Sequence, residues 1–182
     1  MKYRLLAIVL MCWSAEAVAQ QDGVGWSLST GVVVPLGSPL SDIATVGPSI
    51  SGEALYSVHE WISVGVALSI TVPVPKEVAG ERVSVPHFIQ IFARSVFHGG
   101  DQFTYFGGLG VGLSYYGIPE CDVVCEPTES IARFGGDVTL GVGGRITDIM
   151  SIGPSVSFVV PDFIRGDKLW YVTGNFTMQW GL

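Results

Sequence analysis

Five charged residues, Glu53, Arg94, Arg133, Asp137 and Arg145, fall on the less apolar phase of stretches that alternate with a period of two. Charges in a narrow, water-poor interior must be paired or hydrated. Two acids and three arginines can form a salt-bridge network that fills such an interior, or a plug that gates a small pore. The filling network is the favoured reading, because Phe88, Phe92, Phe106, Tyr116 and Tyr171 share that phase and leave little room.

Three other groups have chemical potential. In "ECDVVCEPTE", Cys121 and Cys125 predict one disulfide once the chain is exported, and Glu120, Asp122, Glu126 and Glu129 offer carboxylates for a divalent ion. "IRGDK" contains Arg165-Gly166-Asp167, which matches a three-residue adhesive signal and is also ordinary turn chemistry. His87 has Ser84 and Glu81 nearby in sequence, the residue types of an acyl-transfer site, while His59 and His98 lie in turns on the other side. The bland reading of His87, a lone histidine at an interface, is preferred. Walker, Rossmann and zinc-ligand spacings are missing, so no catalytic residue, metal or cofactor is expected.

The elements that position these residues are strands. "ISVGVALSITVPV" alternates Ile62, Val64, Val66, Leu68, Ile70, Val72 and Val74 with Ser63, Gly65, Ala67, Ser69, Thr71 and Pro73. The same alternation recurs in seven further segments, with no helical pattern between them. Tight turns "HE", "HGGD" and "ITD" alternate with longer loops "GSPLSDIATVG", "PKEVAGER", "IPECDVVCEPTES" and "PDFIRGDK". The sequence therefore predicts an all-β, eight-stranded, antiparallel up-and-down barrel. Pro154 lies inside the seventh strand, where a bulge would accommodate its missing N–H.

Composition sets the compartment. Lys2 and Arg4 precede the apolar "LLAIVLMCW" and the small-x-small Ala17-Val18-Ala19, which reads as a signal peptide over 1–19 with the barrel over 20–182. Cleavage takes Lys2, Arg4 and Glu16 from totals of 9 basic and 16 acidic residues, leaving 7 and 15 and a net charge of −8. That acidity excludes nucleic acid as a partner.

The weakly polar face decides which way the barrel is turned. It carries Ser, Gly and Thr, for example Gly25, Ser27, Ser29 and Gly31, where a water-facing surface would carry Lys and Glu. Small side chains suit an eight-stranded lumen, so the apolar phase faces lipid. Aromatics sort by height: Trp26, Tyr56, Phe97, Phe103, Tyr105 and Trp180 toward the tight turns, and Tyr115, Phe134 and Trp170 toward the long loops. These are two girdles around an aliphatic band.

From the Gly-rich first strand to "NFTMQWGL", with turns such as "RITDIMSIG", the chain resembles the small bacterial outer-membrane barrels of the OmpA/OmpX-like superfamily. The resemblance implies export through the periplasm, insertion by the barrel-assembly machinery and an integral place in the outer membrane of a Gram-negative cell. It departs from the family's usual terminal aromatic, since the chain ends Trp180-Gly181-Leu182. The expected partners are outer-membrane lipid and lipopolysaccharide, whose phosphates the loop carboxylates could reach through divalent ions. The expected function is a non-enzymatic barrel displaying surface loops, for envelope integrity or surface interaction. The alternatives are a narrow porin-like channel for ions or small apolar compounds, and a lipid A-modifying enzyme.

Overall fold

The structure, a computed structural model, describes residues 23–38, 40–78, 81–82, 85–100, 103–117, 131–163 and 169–181. The alternating segments form eight antiparallel strands: β1 (Val24–Pro35), β2 (Gly47–His59), β3 (Ile62–Thr71), β4 (His87–Gly99), β5 (Phe103–Gly117), β6 (Ile131–Thr147), β7 (Met150–Val160) and β8 (Tyr171–Trp180). Each pairs with its sequence neighbours, and β8 pairs with β1, closing the barrel. Closure matters because hydrocarbon offers no hydrogen bonds to an open sheet edge.

Register fixes the shape. Stepping between facing residues, Val24 leads to Tyr56, Val64, Ser95, Leu109, Val138, Phe158, Val172 and then Val34. One circuit thus returns to β1 ten residues beyond its start. Eight strands with that stagger tilt by about 40° and enclose a backbone cylinder of about 8 Å radius.

The expected turns after β2 and β6 are present at one end, and Gly100, just after β4, takes a positive φ of +99°. Register shifts fall only beside turns, between Ser57 and His59 and between Arg145 and Thr147. The bulge expected at Pro154 is not formed. The β6–β7 register is the same on both sides of it, and pairing is merely interrupted between Gly141↔Ser155 and Gly144↔Ile152. Pro154 keeps its place opposite Phe176 of β8, so the missing N–H costs pairing on the β6 side only.

The outward phase holds no charged residue on any of the eight strands. Val66 is 53% exposed, and Leu68, Ile91, Leu109, Leu113 and Leu140 are exposed alongside it, whereas Ser63 is 0% exposed and Ala67 is buried. This surface is the lipid-facing belt of a membrane-spanning barrel. Tyr56, Phe97, Phe103 and Tyr105 are exposed at the turn end, and Tyr115, Phe134 and Trp170 at the loop end. Trp180 departs from this pattern: it is buried, with Trp26 and Met150 as its register partners on either side.

The loop end is more built than its sequence suggests. A short helix, α1 (Leu40–Ile43), leads into a two-residue ladder between Ala44–Thr45 and Val74–Pro75. Leu40, Ala44 and Val85 join Val33, Phe88, Phe92, Val159 and Tyr171 in one buried apolar cluster. The alternation alone puts Val85 on the lipid-facing phase of the fourth strand. That strand instead starts at His87, because Pro86 has no N–H for the ladder, and Val85 turns inward.

The expected Cys121–Cys125 disulfide is corrected. No disulfide is present among the described residues, and both cysteines lie outside them. The described barrel is held by eight hydrogen-bonded seams, and a ring as short as Cys121 to Cys125 would restrain little chain entropy. The remaining acids of that loop and the Arg165-Gly166-Asp167 stretch also lie outside the described residues.

Candidate functional site

Three of the five charges meet in the middle of the lumen. Arg94 reaches from β4 between Glu53 of β2 and Asp137 of β6. Its Nη1 donates to Glu53 Oε1, and its Nη2 lies 2.9 Å from Asp137 Oδ2. Thr139 Oγ1 accepts from Arg94 Nη2 and donates to Asp137 Oδ2 at 2.9 Å. Glu53, Arg94 and Asp137 side chains are all nine-tenths buried or close to it.

Strand β5 makes room for them. In its middle, the lumen phase is Gly108, Gly110 and Gly112. A methyl group on Gly108 would stand 3.0 Å from Arg94 Nε, and one on Gly110 would collide with Asp137 Oδ1. The charges occupy the volume that side chains on β5 would otherwise fill. The glycine run in "FGGLGVG" was the sequence signal for this, legible only once β4 and β6 are known to flank it.

The other two arginines stand apart. Arg133 Nε is 3.3 Å from Asp162 Oδ2, tying β6 to the start of the β7–β8 loop. Asp162 was not among the expected lumen charges, because its position after the seventh strand reads as loop. Arg145 is exposed at the turn-end rim and joins neither group.

Hydroxyls and amides line the rest of the lumen. Toward the loops, Gln90 accepts from Tyr171 at 2.7 Å and from Ser69 at 3.0 Å, and donates to Ser114 at 2.9 Å. Ser49 donates to Asn175, which donates to Thr173. Toward the turns, Thr177 bonds both Ser29 and Ser155. Such closed networks satisfy groups whose burial would otherwise be costly. Phe88 and Tyr171 are fully buried with ring centres 5.2 Å apart, Phe92 is buried, and Phe106 lies over Gly141. The side chain of Tyr116 is outside the description.

Two cavities flank the charges. One of about 40 Å³ lies between Arg94 and the apolar cluster, and one of about 10 Å³ lies on the turn side. Arg94 lines both, so the network stands between them as a diaphragm. Beyond the larger cavity, the apolar cluster with Leu40 closes the loop end.

Among the described residues the histidines assemble no reactive centre. His87 is exposed on the lipid-facing phase, and Ser84 and the side chain of Glu81 are outside the description. His98 lies within β4, and its Nε2 is 3.0 Å from Ser63 Oγ. Ser63 is fully buried and its other hydroxyl neighbour is Ser57, while His98 is half-buried, so the hydroxyl of this pair is shielded. Among the described residues no three His, Cys, Asp or Glu side chains come together as metal ligands.

Solved structures share this architecture. Neisserial surface protein A superposes with a TM-score of 0.62 at 11% identity, over 88% of this chain and 98% of its own. The outer membrane protein OprG of Pseudomonas aeruginosa gives 0.58 at 13% identity, over 88% and 97%. The N-terminal β-barrel domain of Pseudomonas aeruginosa OprF gives 0.57 at 7% identity, over 87% and 96%. At such identities what is shared is the fold. No family model matches the chain. No curated protein matches it either.

Proposed function

We propose, from the premise that the chain is a small eight-stranded outer-membrane barrel of the fold shared with those proteins, that it works as a closed, non-enzymatic barrel. It presents its four longer loops at the cell surface, in envelope integrity or surface interaction. The observation that carries this reading is the double closure of the lumen, by Arg94 with its two carboxylates and by the apolar cluster around Leu40. A transport path would have to pass both.

The reading includes export, with residues 1–19 removed as a signal peptide and 20–182 forming the barrel. It also includes two partners. The barrel-assembly machinery would engage β8, which carries Phe176 and Met178 on the lipid-facing phase, with the buried Trp180 next in that phase. Lipopolysaccharide acyl chains would pack on the loop-end girdle, where Trp170 meets Phe158 and Phe163 meets Phe134, each with ring centres 6.1 Å apart.

Planar-bilayer recording of the refolded protein tests the closed lumen. The expected trace is a baseline without steady openings. A sustained open state of appreciable conductance would establish the channel reading in its place.

A further inference from the structure

We infer that the barrel meets the bilayer unevenly. At the loop end of the β1–β3 flank, Leu36, Val46 and Val74 form an aliphatic ledge that docks against lipid acyl chains above the level of the aromatic girdle. The inference rests on the lipid-facing belt and extends it on one side.

The wall is taller on this flank. Past the end of β3, Val72 N donates to Pro48 O at 3.0 Å. The chain then pairs as Thr45↔Val74 and Ala44↔Pro75, and Lys76 N donates to Ile43 O at 2.8 Å. The closing seam runs on as well, with Leu36 N donating to Trp170 O at 3.0 Å. Val46 adjoins Gly47, the partner of Val33, and so stands next to the β1 rim. The rim therefore passes from Trp170 through Leu36 and Val46 to Val74.

Height follows from the register. At this tilt each residue climbs about 2.5 Å along the barrel axis, and each step to the next facing strand about 3 Å. On that scale Tyr115, Phe134 and Trp170 stand within about 2 Å of one another, and Leu36, Val46 and Val74 stand roughly 2–5 Å above them.

The ledge has the surface of the belt. Leu36 is 51% exposed, Val46 47% and Val74 43%, against 53% for Val66 in the middle of the wall. Positions bathed in water would carry charge. The first charges up the ladder are Asp42 of α1 and Lys76, both beyond its last rung, and Lys76 Nζ donates to Ser41 O of α1. The inner side of the ladder is already packed, because Leu40 and Ala44 belong to the buried cluster. Only the outer side needs a partner. That side continues the exposed surface of Val34, Ile70 and Trp170, so the acyl chains that cover those residues reach the ledge by rising beside it.

Spin labels test this in the mature chain refolded into phosphatidylcholine vesicles, with Cys121→Ser and Cys125→Ser in the background. Nitroxides are attached at Leu36→Cys, Val46→Cys and Val74→Cys. Val66→Cys is the hydrocarbon reference and Lys76→Cys the water reference. The three ledge labels should follow Val66→Cys, colliding more with oxygen dissolved in lipid than with a water-soluble nickel chelate, and Lys76→Cys should show the reverse. Collisions dominated by nickel at the three ledge positions, with Val66→Cys still in lipid, overturn the inference, because the ledge would stand in water. Shielding from both reagents also overturns it, since protein, a second copy or a loop, would then be the cover. Loss of the lipid signal at Val66→Cys as well would remove the belt itself, and so separates failure of the barrel reading from failure of the ledge.

Discussion

Arg94 Nη2 stands 2.9 Å from Asp137 Oδ2 across the inner face of β5, where Gly108 and Gly110 leave the space that both side chains need. The pair bridges β4 and β6 over a strand that contributes nothing but backbone there. Its stability and its room therefore have to be tested separately.

Removing the cation should cost more than removing either acid. Arg94→Ala leaves Glu53 and Asp137 facing each other without a counter-charge, at on the order of 3–5 kcal/mol for a dry site. Glu53→Ala leaves the Arg94–Asp137 pair neutral and intact, so its cost should be clearly smaller. Urea unfolding in vesicles measures both. Equal midpoints for the two variants would mean that the lumen is wet and the charges solvated.

Room is tested on the glycines. Gly110→Ala puts a methyl group against Asp137 and should destabilise by about 1–3 kcal/mol through overpacking. Gly174→Ala is the control, since a methyl group there meets nothing within 4 Å. It should be neutral or slightly stabilising, by up to about 1 kcal/mol. Thermal unfolding in one detergent compares them, and a harmless Gly110→Ala would refute the packing account.

Two closures in series should have to fail together. Arg94→Ala removes the diaphragm and leaves the apolar cluster, while Leu40→Ser loosens the cluster and leaves the diaphragm. Neither alone should raise bilayer conductance. The double variant should produce openings. Openings from Arg94→Ala alone would show that α1 does not seal the loop end.

Neighbouring residues of β3 should report opposite surroundings. Nitroxides at Val64, Val66 and Leu68 should collide freely with oxygen dissolved in lipid and poorly with a water-soluble nickel chelate. Labels at Ser63 and Ala67 should be shielded from both. Low oxygen accessibility at all three outward sites would contradict the lipid-facing belt.

The eight strands and the direction of their faces were legible because a lipid-facing barrel repeats one signal, period two, in every segment. Placing Glu53, Arg94 and Asp137 on the inner phase needed nothing more. Their partnership did not follow, because it depends on the ten-residue stagger, a sum over eight registers that no single strand encodes. The same ignorance put Arg145 with them, although it has the right phase at the wrong height. Leu40 and Val85 were missed for another reason. Segments rich in Ser, Pro and Gly read as solvated loops, and an isolated apolar residue there has no periodicity to show that it folds inward.

The seam between β1 and β8 joins the two ends of the described fold, in ten facing pairs from Trp26↔Trp180 to Pro35↔Tyr171. No partly made chain can form it. Until β8 has been made, β1 has one unsatisfied flank and the outward Val, Leu and Ile side chains belong to a sheet that is still open. Closure is therefore the final event of assembly, and the polypeptide must be kept from aggregating until then. A copy cut short before Tyr171 would have nothing with which to zip shut, and its fate should be proteolysis rather than a smaller pore.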